Sequence, residues 1–111
     1  PWVAGDFAYV LTQRGELVCI LRQGGRIRWV TPLGEAATPG DTGPAVVWSG
    51  PVMMGGTLFV ATSTGELLGV APTTGEVISR QPIGGPVRRA PVVAGGTLYV
   101  VTDSGQLVAF R

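Results

Sequence analysis

Two long stretches of the sequence repeat each other without a gap. PVMMGGTLFVATSTGELLGV begins at Pro51 and PVVAGGTLYVVTDSGQLVAF begins at Pro91, so the period is 40 residues. A third copy, PWVAGDFAYVLTQRGELVCI, begins at Pro1, 50 residues before Pro51, and the ten extra residues fall in one block around GEAATPGDTG. Self-similarity at a fixed period indicates a repeat architecture in which each repeat is one supersecondary unit.

Six positions of the repeat carry matching residues in all three copies. They comprise a proline, two glycines, an aromatic residue, a threonine and a leucine: Pro1/Pro51/Pro91, Gly5/Gly55/Gly95, Gly15/Gly65/Gly105, Tyr9/Phe59/Tyr99, Thr12/Thr62/Thr102 and Leu17/Leu67/Leu107. We expect the three leucines to fill equivalent core positions in their units, where truncation to Ala would leave a cavity.

Within each copy, apolar residues recur with a period of two and turn residues arrive every eight to ten positions. This pattern is typical of strands joined by hairpins. Gly55–Gly56 suits a two-residue hairpin that needs positive φ, while Gly65 and Gly75 suit the left-handed position that ends a three-residue loop. The second copy is thereby predicted to contain four strands, at about Val46–Met54, Thr57–Thr62, Glu66–Ala71 and Val77–Gln81.

Four strands in about 40 residues match the size of one propeller blade. The helical periodicity of ankyrin or tetratricopeptide repeats is absent, and a sandwich would not need three near-identical hairpin units. The predicted fold class is therefore all-β, a partial β-propeller of about two and two-thirds four-stranded antiparallel blades. We assign residues 1–34 to one blade, residues 35–81 to a second with an inserted loop at 34–44, and residues 82–111 to a last blade that lacks its outer strand.

Composition limits the chemistry open to the chain. Eight basic and seven acidic residues leave a net charge of +1, so the electrostatic signature of nucleic-acid binding is absent. The sequence has no His and one Cys, Cys19, which excludes an intrachain disulfide and leaves little room for zinc or His-based acid–base catalysis. No apolar run reaches the roughly 20 residues needed to cross a bilayer. We therefore expect no catalytic residue, metal or cofactor, and no membrane insertion of this chain.

The strings GTLFVATSTGELLGVAPTTG and GTLYVVTDSGQLVAF resemble the repeat of the PQQ-like propellers. Quinoprotein alcohol dehydrogenases in that group carry a tryptophan-docking motif, A-x-D-x-x-T-G-x-x-x-W. The first copy keeps only Gly25 and Trp29 of it, and the second keeps only Thr74 and Gly75. The sequence most resembles the BamB-type lipoproteins of the outer-membrane β-barrel assembly machinery. The resemblance lies in the degenerate docking residues, the Gly-rich turns and a chain end directly after a third strand.

This resemblance implies a non-catalytic scaffold for protein–protein interaction. BamB-type proteins are eight-bladed periplasmic propellers that bind no quinone and dock onto the periplasmic domains of the central assembly protein. The implied location is the periplasm, at the outer membrane, through an upstream lipid anchor. Two alternatives stay open: the sensor propeller of a membrane kinase, or a fragment of a PQQ-dependent dehydrogenase. The dehydrogenase needs carboxylates and amides around its quinone, and this chain has no Asn and only Asp6, Asp41 and Asp103.

Several side chains are of types that could bind a ligand. We interpret Trp2, Trp29 and Trp48 as packing between blades in preference to forming a platform for a planar cofactor. Cys19 lies between apolar neighbours and is expected to be a buried, inert thiol. The basic doublet Arg88–Arg89 is not dictated by the repeat and is predicted to enter the inner strand of the last blade.

The connection between propeller blades lies on the same face as the loop between the second and third strands. Insertions in repeat proteins gather on the binding face, which favours this face as the interaction surface. The predicted partner is a protein component of the assembly machinery. The candidate residues are Arg14, Glu35, Asp41, Thr64, Arg88, Arg89 and Ser104.

The two ends of the chain lead to one more expectation. A closed ring covers both faces of every blade, whereas this chain would leave one apolar face open at 1–33 and another at 91–111. The last blade would also present an unpaired strand edge at Gln106–Phe110. We therefore expect the isolated chain to self-associate.

Overall fold

The computed structural model describes residues 1–33 and 46–111, which form three sheets of short strands. The first sheet contains β1 (Trp2–Ala4), β2 (Phe7–Leu11), β3 (Glu16–Leu21) and β4 (Ile27–Pro32). The second contains β5 (Trp48–Met54), β6 (Thr57–Thr62), β7 (Glu66–Val70) and β8 (Val77–Pro82). The third contains β9 (Val92–Ala94), β10 (Thr97–Val101) and β11 (Leu107–Phe110).

Each sheet is an antiparallel meander in which strands adjacent in the chain are paired. The third sheet has the order β11-β10-β9, and no described residue forms a fourth strand beside β11. The all-β prediction is confirmed. Within 1–33 and 46–111 there is also no helix of the length and apolarity that a membrane crossing requires.

The strands predicted for the second copy are present, with small differences at their ends. β5 begins at Trp48, two residues later than predicted, and β7 ends at Val70, one residue earlier. β8 continues one residue further, to Pro82. Such shifts of one or two residues are ordinary at strand ends, where pairing is weakest.

Glycines make the predicted turns possible. Gly55 and Gly56 have φ values of 57° and 78° in the hairpin between β5 and β6. Gly65 and Gly75 have φ values of 91° and 78° at the ends of the two following turns. Left-handed backbone of this kind is strained for residues with a Cβ, which explains why glycine stands at these positions. The predicted turns are therefore confirmed.

The first core lies between the first and second sheets. Because side chains alternate along a strand, each sheet has two distinct faces, and one face of the first sheet packs on one face of the second. Its buried members are Tyr9, Leu17, Cys19 and Leu33 from the first sheet and its linker, and Leu58, Val60, Leu68 and Val70 from the second sheet.

The second core repeats this arrangement one unit further along. The other face of the second sheet packs on the third sheet, and the linker between them contributes two apolar side chains. The buried members are Val52, Ala61 and Leu67 from the second sheet, Ile83 and Val87 from the linker, and Leu98 and Val100 from the third sheet.

One core prediction is wrong. Leu17 and Leu67 are 0% and 1% exposed, but Leu107, at the same position of the repeat, is 64% exposed. Leu107 lies on the face of the third sheet that points away from the second sheet, and no described residue covers it. Its side chain therefore faces solvent, although its backbone position matches that of Leu67.

The predicted position of Arg88–Arg89 is also wrong, because β9 begins only after this doublet. The chain around it runs between the second and third sheets instead of pairing with β10. The Val87 amide donates to the Thr62 carbonyl at 3.4 Å, and the Pro86 carbonyl accepts from the Asp103 amide at 2.9 Å. These bonds hold the linker against the second and third sheets directly before the doublet.

Candidate functional site

Three equivalent turns, β2–β3, β6–β7 and β10–β11, are built on the same side-chain hydrogen bond. A threonine hydroxyl at the start of each turn accepts the backbone N–H of the residue four positions later. The bonds are Glu16 N to Thr12 Oγ1 at 3.2 Å, Glu66 N to Thr62 Oγ1 at 3.0 Å and Gln106 N to Thr102 Oγ1 at 3.1 Å. A hydroxyl-to-backbone bond of this kind fixes a turn, so the turn tips are held in defined positions.

The linkers between the sheets are hydrogen-bonded to these turns. The backbone bonds are Leu33 N to Gly15 O at 2.9 Å, Ser63 N to Val47 O at 2.8 Å, Ile83 N to Gly65 O at 2.7 Å and Asp103 N to Pro86 O at 2.9 Å. Linkers and turns therefore lie on the same side of the three sheets, as the repeat predicted. We call this side the linker rim: residues 13–15, 63–65 and 103–105 with linker residues 46–47 and 83–91.

Five of the seven candidate residues lie on the linker rim. Arg14, Thr64 and Ser104 are exposed at the tips of the three turns, at one position of the repeat. Arg88 and Arg89 are exposed in the linker before β9. The other two candidates, Glu35 and Asp41, lie outside the described residues.

Arg88 takes part in an ion pair that the sequence did not predict. Its Nη1 lies 2.9 Å from Asp103 Oδ2, and the two side chains are 54% and 40% exposed. At this exposure the pair contributes little to stability, about 0–1 kcal/mol. The pair connects the linker to the third turn, beside an open hollow of about 560 Å³ lined by Arg88, Arg89, Val101, Thr102, Asp103 and Gly105.

The tryptophans pack between sheets, which confirms their interpretation as packing residues. Trp2, Trp29 and Trp48 are all partly buried against the first core. The Trp29 indole N–H donates to the Pro72 carbonyl of the second sheet at 2.9 Å. A Cβ built on Gly75 would lie 2.6 Å from the Trp29 ring, so the ring rests directly on this turn. The docking contact between sheets is present here although the sequence keeps little of the docking motif.

Trp48 makes the corresponding close contact on the linker rim. A Cβ built on Gly15 would lie 2.5 Å from Trp48 Nε1, so the indole of the second sheet covers the turn of the first. The repeated turn glycine is visible in the sequence, but the neighbour that requires its small size is the first residue of a strand in the next sheet and could not be identified from the repeat.

Cys19 is buried in the first core next to Tyr9, as expected of an inert thiol. Burial raises the pKa of the Cys19 thiol above its usual value, and burial together with the neighbouring Cys19 raises the pKa of the Tyr9 phenol. A thiol with a raised pKa is a weak nucleophile, because the thiolate is the reactive form.

The opposite side of the sheets carries the β1–β2, β3–β4, β5–β6, β7–β8 and β9–β10 turns, which we call the hairpin rim. It is built mainly from glycine turns, and in the first sheet Arg22 Nη1 donates to the Gly5 carbonyl at 3.0 Å, which joins the two turns of that sheet. Across the described ranges, 1–33 and 46–111, there is no group of three or more His, Cys, Asp or Glu side chains placed to hold a metal ion.

The family model described as outer membrane protein assembly factor BamB matches residues 33–111. The chain belongs to this family. The match includes all of the second and third sheets, together with their linker and two of the three equivalent turns. No curated protein matches the sequence.

The fold agrees with this family. The crystal structure of BamB from Moraxella catarrhalis superposes with a TM-score of 0.82 and 19% sequence identity, over 98% of this chain and 30% of that chain. The chain thus spans about a third of the length of that structure. The prediction of a partial β-propeller built from PQQ-like repeats is confirmed, and each sheet described above is a propeller blade.

Proposed function

We propose that this chain is part of a non-catalytic periplasmic scaffold that binds a protein partner during the assembly of outer-membrane β-barrel proteins. Membership of the BamB family supports a role in outer-membrane protein assembly, and the geometry of the linker rim supports this rim as the binding site. The observation that carries the proposal is the repeated turn geometry. Three rigid turns present Arg14, Thr64 and Ser104 as a row of exposed side chains at one repeat position.

The rim is suited to protein recognition because its backbone is already ordered. Threonine hydroxyls hold the turns, and backbone hydrogen bonds hold the linkers against them. A surface that is ordered before binding loses less conformational entropy when a partner docks. We propose that the chain divides into blades after residues 34 and 81.

The charges of the rim indicate what the partner presents. Arg14 and Arg89 have no ion-pair partner among the described residues, whereas Arg88 is paired with Asp103. Two exposed guanidinium groups without an ion pair in the described part of the chain favour a partner surface that carries carboxylates, since Arg binds carboxylates through two parallel hydrogen bonds. We therefore propose an acidic patch on a periplasmic domain of the assembly machinery.

Site-specific photocross-linking tests the site. A photoreactive amino acid is placed at Arg14, Thr64 or Ser104 on the linker rim, and at Gln23 or Thr73, which are also exposed, on the hairpin rim as controls. Each variant is mixed with the purified periplasmic domains of the central assembly protein. We expect cross-links from the linker rim alone. Equal cross-linking from both rims, or none from the linker rim, would contradict the proposal.

A charge reversal tests the chemistry. Arg89→Glu should weaken binding to the same periplasmic domains and lower the dependence of affinity on salt, because a complementary charge is lost. Arg26→Glu, at an exposed position outside the linker rim, is the matched control. Equal loss of affinity in the two variants would mean that only the net charge of the chain matters.

A further inference from the structure

The linker residues directly before β5 and those before β9 make different bonds with the turns of their sheets. In the second sheet the Ser63 amide donates to the Val47 carbonyl at 2.8 Å. In the third sheet Asp103, 40 residues after Ser63, donates its amide to the Pro86 carbonyl at 2.9 Å instead of to Val87, the counterpart of Val47. The two linkers are therefore offset by one residue. In an extended chain such an offset exchanges the side chains that face the core with those that face solvent.

The offset leaves Val47 exposed on an ordered backbone. Val87 is 0% exposed in the second core, whereas Val47 is 41% exposed. The Val47 amide donates to Ser63 Oγ at 2.8 Å, in addition to the bond that the Val47 carbonyl accepts from the Ser63 amide. Two hydrogen bonds to one residue fix the backbone of Val47. The linker rim thus presents an apolar side chain in a defined place.

Val47 belongs to an apolar patch between the first and second sheets. Two open hollows of about 240 Å³ and about 200 Å³ adjoin there, because Val46 and Trp48 line both of them. Leu11 and Val47 also line the first hollow, and Leu33 also lines the second. Leu11, Val46 and Trp48 are partly buried. We call Leu11, Val46, Val47 and Trp48 the seam patch.

The seam patch lies inside the stack of sheets, between two sheets that are both four-stranded. Its exposure therefore does not depend on what packs against the outer face of the first or the third sheet. Apolar side chains that are exposed together and surrounded by polar ones mark an interaction site. Trp is enriched among the residues that carry most of the binding energy of an interface. The position of Trp48 favours the seam patch as the centre of such a site.

The charged side chains around the seam patch indicate what binds there. Arg14 is exposed in the turn whose residues Thr12 and Gln13 line the first hollow, and it forms no ion pair within 1–33 and 46–111. Arg80 Nη1 lies 3.7 Å from Glu66 Oε2 in the wall of the second hollow, and these side chains are 57% and 43% exposed. Two guanidinium groups and one carboxylate thus flank the patch, which makes its surroundings complementary to an acidic segment.

We propose that the seam patch is the anchor point for one apolar side chain of an extended partner segment, with carboxylates on both sides of that side chain. The apolar side chain packs on Val47 and Trp48, and the flanking carboxylates bind Arg14 and Arg80. An apolar centre within a polar rim is the usual arrangement of a protein interface. The source of the segment rests on the proposed function, and the anchor point adds the chemistry that the partner presents.

A peptide titration followed by NMR tests the anchor point without the assembly machinery. The probe is a short synthetic peptide with one Leu between Glu residues, added to the whole chain. One control peptide has Ser in place of Leu, and the other has Lys in place of Glu. We expect the Glu–Leu peptide alone to shift the methyl signals of Val47 and the indole N–H signal of Trp48. Absence of these shifts, or equal shifts with either control peptide, overturns the proposal.

Val47→Thr tests the anchor point in the proposed complex. Thr keeps the branched shape and the backbone bonds to Ser63 but places a hydroxyl in the apolar contact. The affinity for the periplasmic domains of the central assembly protein should therefore fall about tenfold. Its dependence on salt should stay unchanged, because no charge is removed. Ile78→Thr is the matched control, since Ile78 is 54% exposed on β8, outside the linker rim, and this variant should bind as the unmodified chain does.

The anchor point and the proposed function fail in different ways. If the unmodified chain binds the periplasmic domains and Val47→Thr binds them as tightly as Ile78→Thr does, the anchor point is overturned and the proposed function stands. If the chain binds the Glu–Leu peptide at Val47 but does not bind the periplasmic domains, the proposed function is overturned and the anchor point stands.

Discussion

Leu67 and Leu107 occupy the same position of the repeat, in strands with the same register, yet one is 1% exposed and the other 64%. Within residues 1–33 and 46–111 the second sheet is covered on both faces, whereas the third is covered only on the face that packs on the second sheet. This difference separates two sources of stability. Hydrogen bonds and turns belong to each sheet, but most of the burial of a blade depends on its neighbours.

The largest expected effect follows directly from this comparison. Leu67→Ala should lower the free energy of unfolding by about 2–5 kcal/mol, because it leaves a cavity in the second core. Leu107→Ala should cost roughly 0.5 kcal/mol or less, since an exposed leucine leaves none. Urea denaturation at a concentration where the chain is monomeric measures both. Equal losses would mean that the third sheet is covered after all.

The turn glycines compare a covered position with an open one in the same way, and here both backbone strain and packing contribute. Gly15 and Gly105 share a repeat position and have φ values of 77° and 88°. A Cβ on Gly15 would meet Trp48, but nothing lies within 4 Å of a Cβ on Gly105. In both Ala variants the free energy of unfolding should fall by about 1–2 kcal/mol, because Ala is strained in a left-handed conformation. Gly15→Ala should lose about 1–3 kcal/mol more from crowding.

Thermal or urea unfolding of these two glycine variants decides whether the contact between sheets matters. A larger loss in Gly15→Ala than in Gly105→Ala supports the close approach of Trp48. If Gly105→Ala were the more damaging change, the assignment of covered and open turns would be reversed.

The threonines of the turns should behave alike in the two sheets. Thr62 and Thr102 are 2% and 3% exposed, and each hydroxyl accepts a backbone N–H of its own turn. Replacement by Val keeps the shape and removes the acceptor, so Thr62→Val and Thr102→Val should each cost about 1 kcal/mol. A much smaller cost for Thr102→Val would show that the third sheet is poorly formed as well as uncovered.

The smallest effect is expected on the linker rim. Arg14 is exposed and no hydrogen bond or ion pair of its side chain is present among the described residues, so Arg14→Ala should change stability by roughly 0.5 kcal/mol or less. The measurement is again urea unfolding. A loss as large as that of Leu67→Ala would mean that the alignment of the repeats is out of register.

The sequence was sufficient to predict strands, turns and their order, because these depend on local alternation and on glycines that the repeat marks three times. It could not predict the exposure of Leu107, since a repeat position does not record whether another sheet covers it. Neither could it place Arg88, whose position depends on linker bonds to Thr62 and Asp103. The exposed turn tips at Arg14, Thr64 and Ser104 were predictable because they lie inside the repeat. The Arg88–Asp103 ion pair was not, because it joins a linker residue outside the repeat to a turn residue inside it.

The central claim is that the strands of the third sheet pair as those of the second sheet do, but without an outer strand among the described residues. Hydrogen exchange at single amides tests this claim most directly. Antiparallel hydrogen bonds alternate along a strand. The Thr102–Gln106 bond therefore directs the amides of Leu107 and Ala109 away from β10, towards the open edge. The equivalent amides of Leu67 and Gly69 face β8.

The predicted result is slow exchange at Leu67 and Gly69 and fast exchange at Leu107 and Ala109, measured by NMR. Val108, whose amide faces β10, should be protected relative to both of its neighbours. Slow exchange at Leu107 and Ala109, equal to that at Leu67 and Gly69, would contradict the account, because it would require a strand paired with β11.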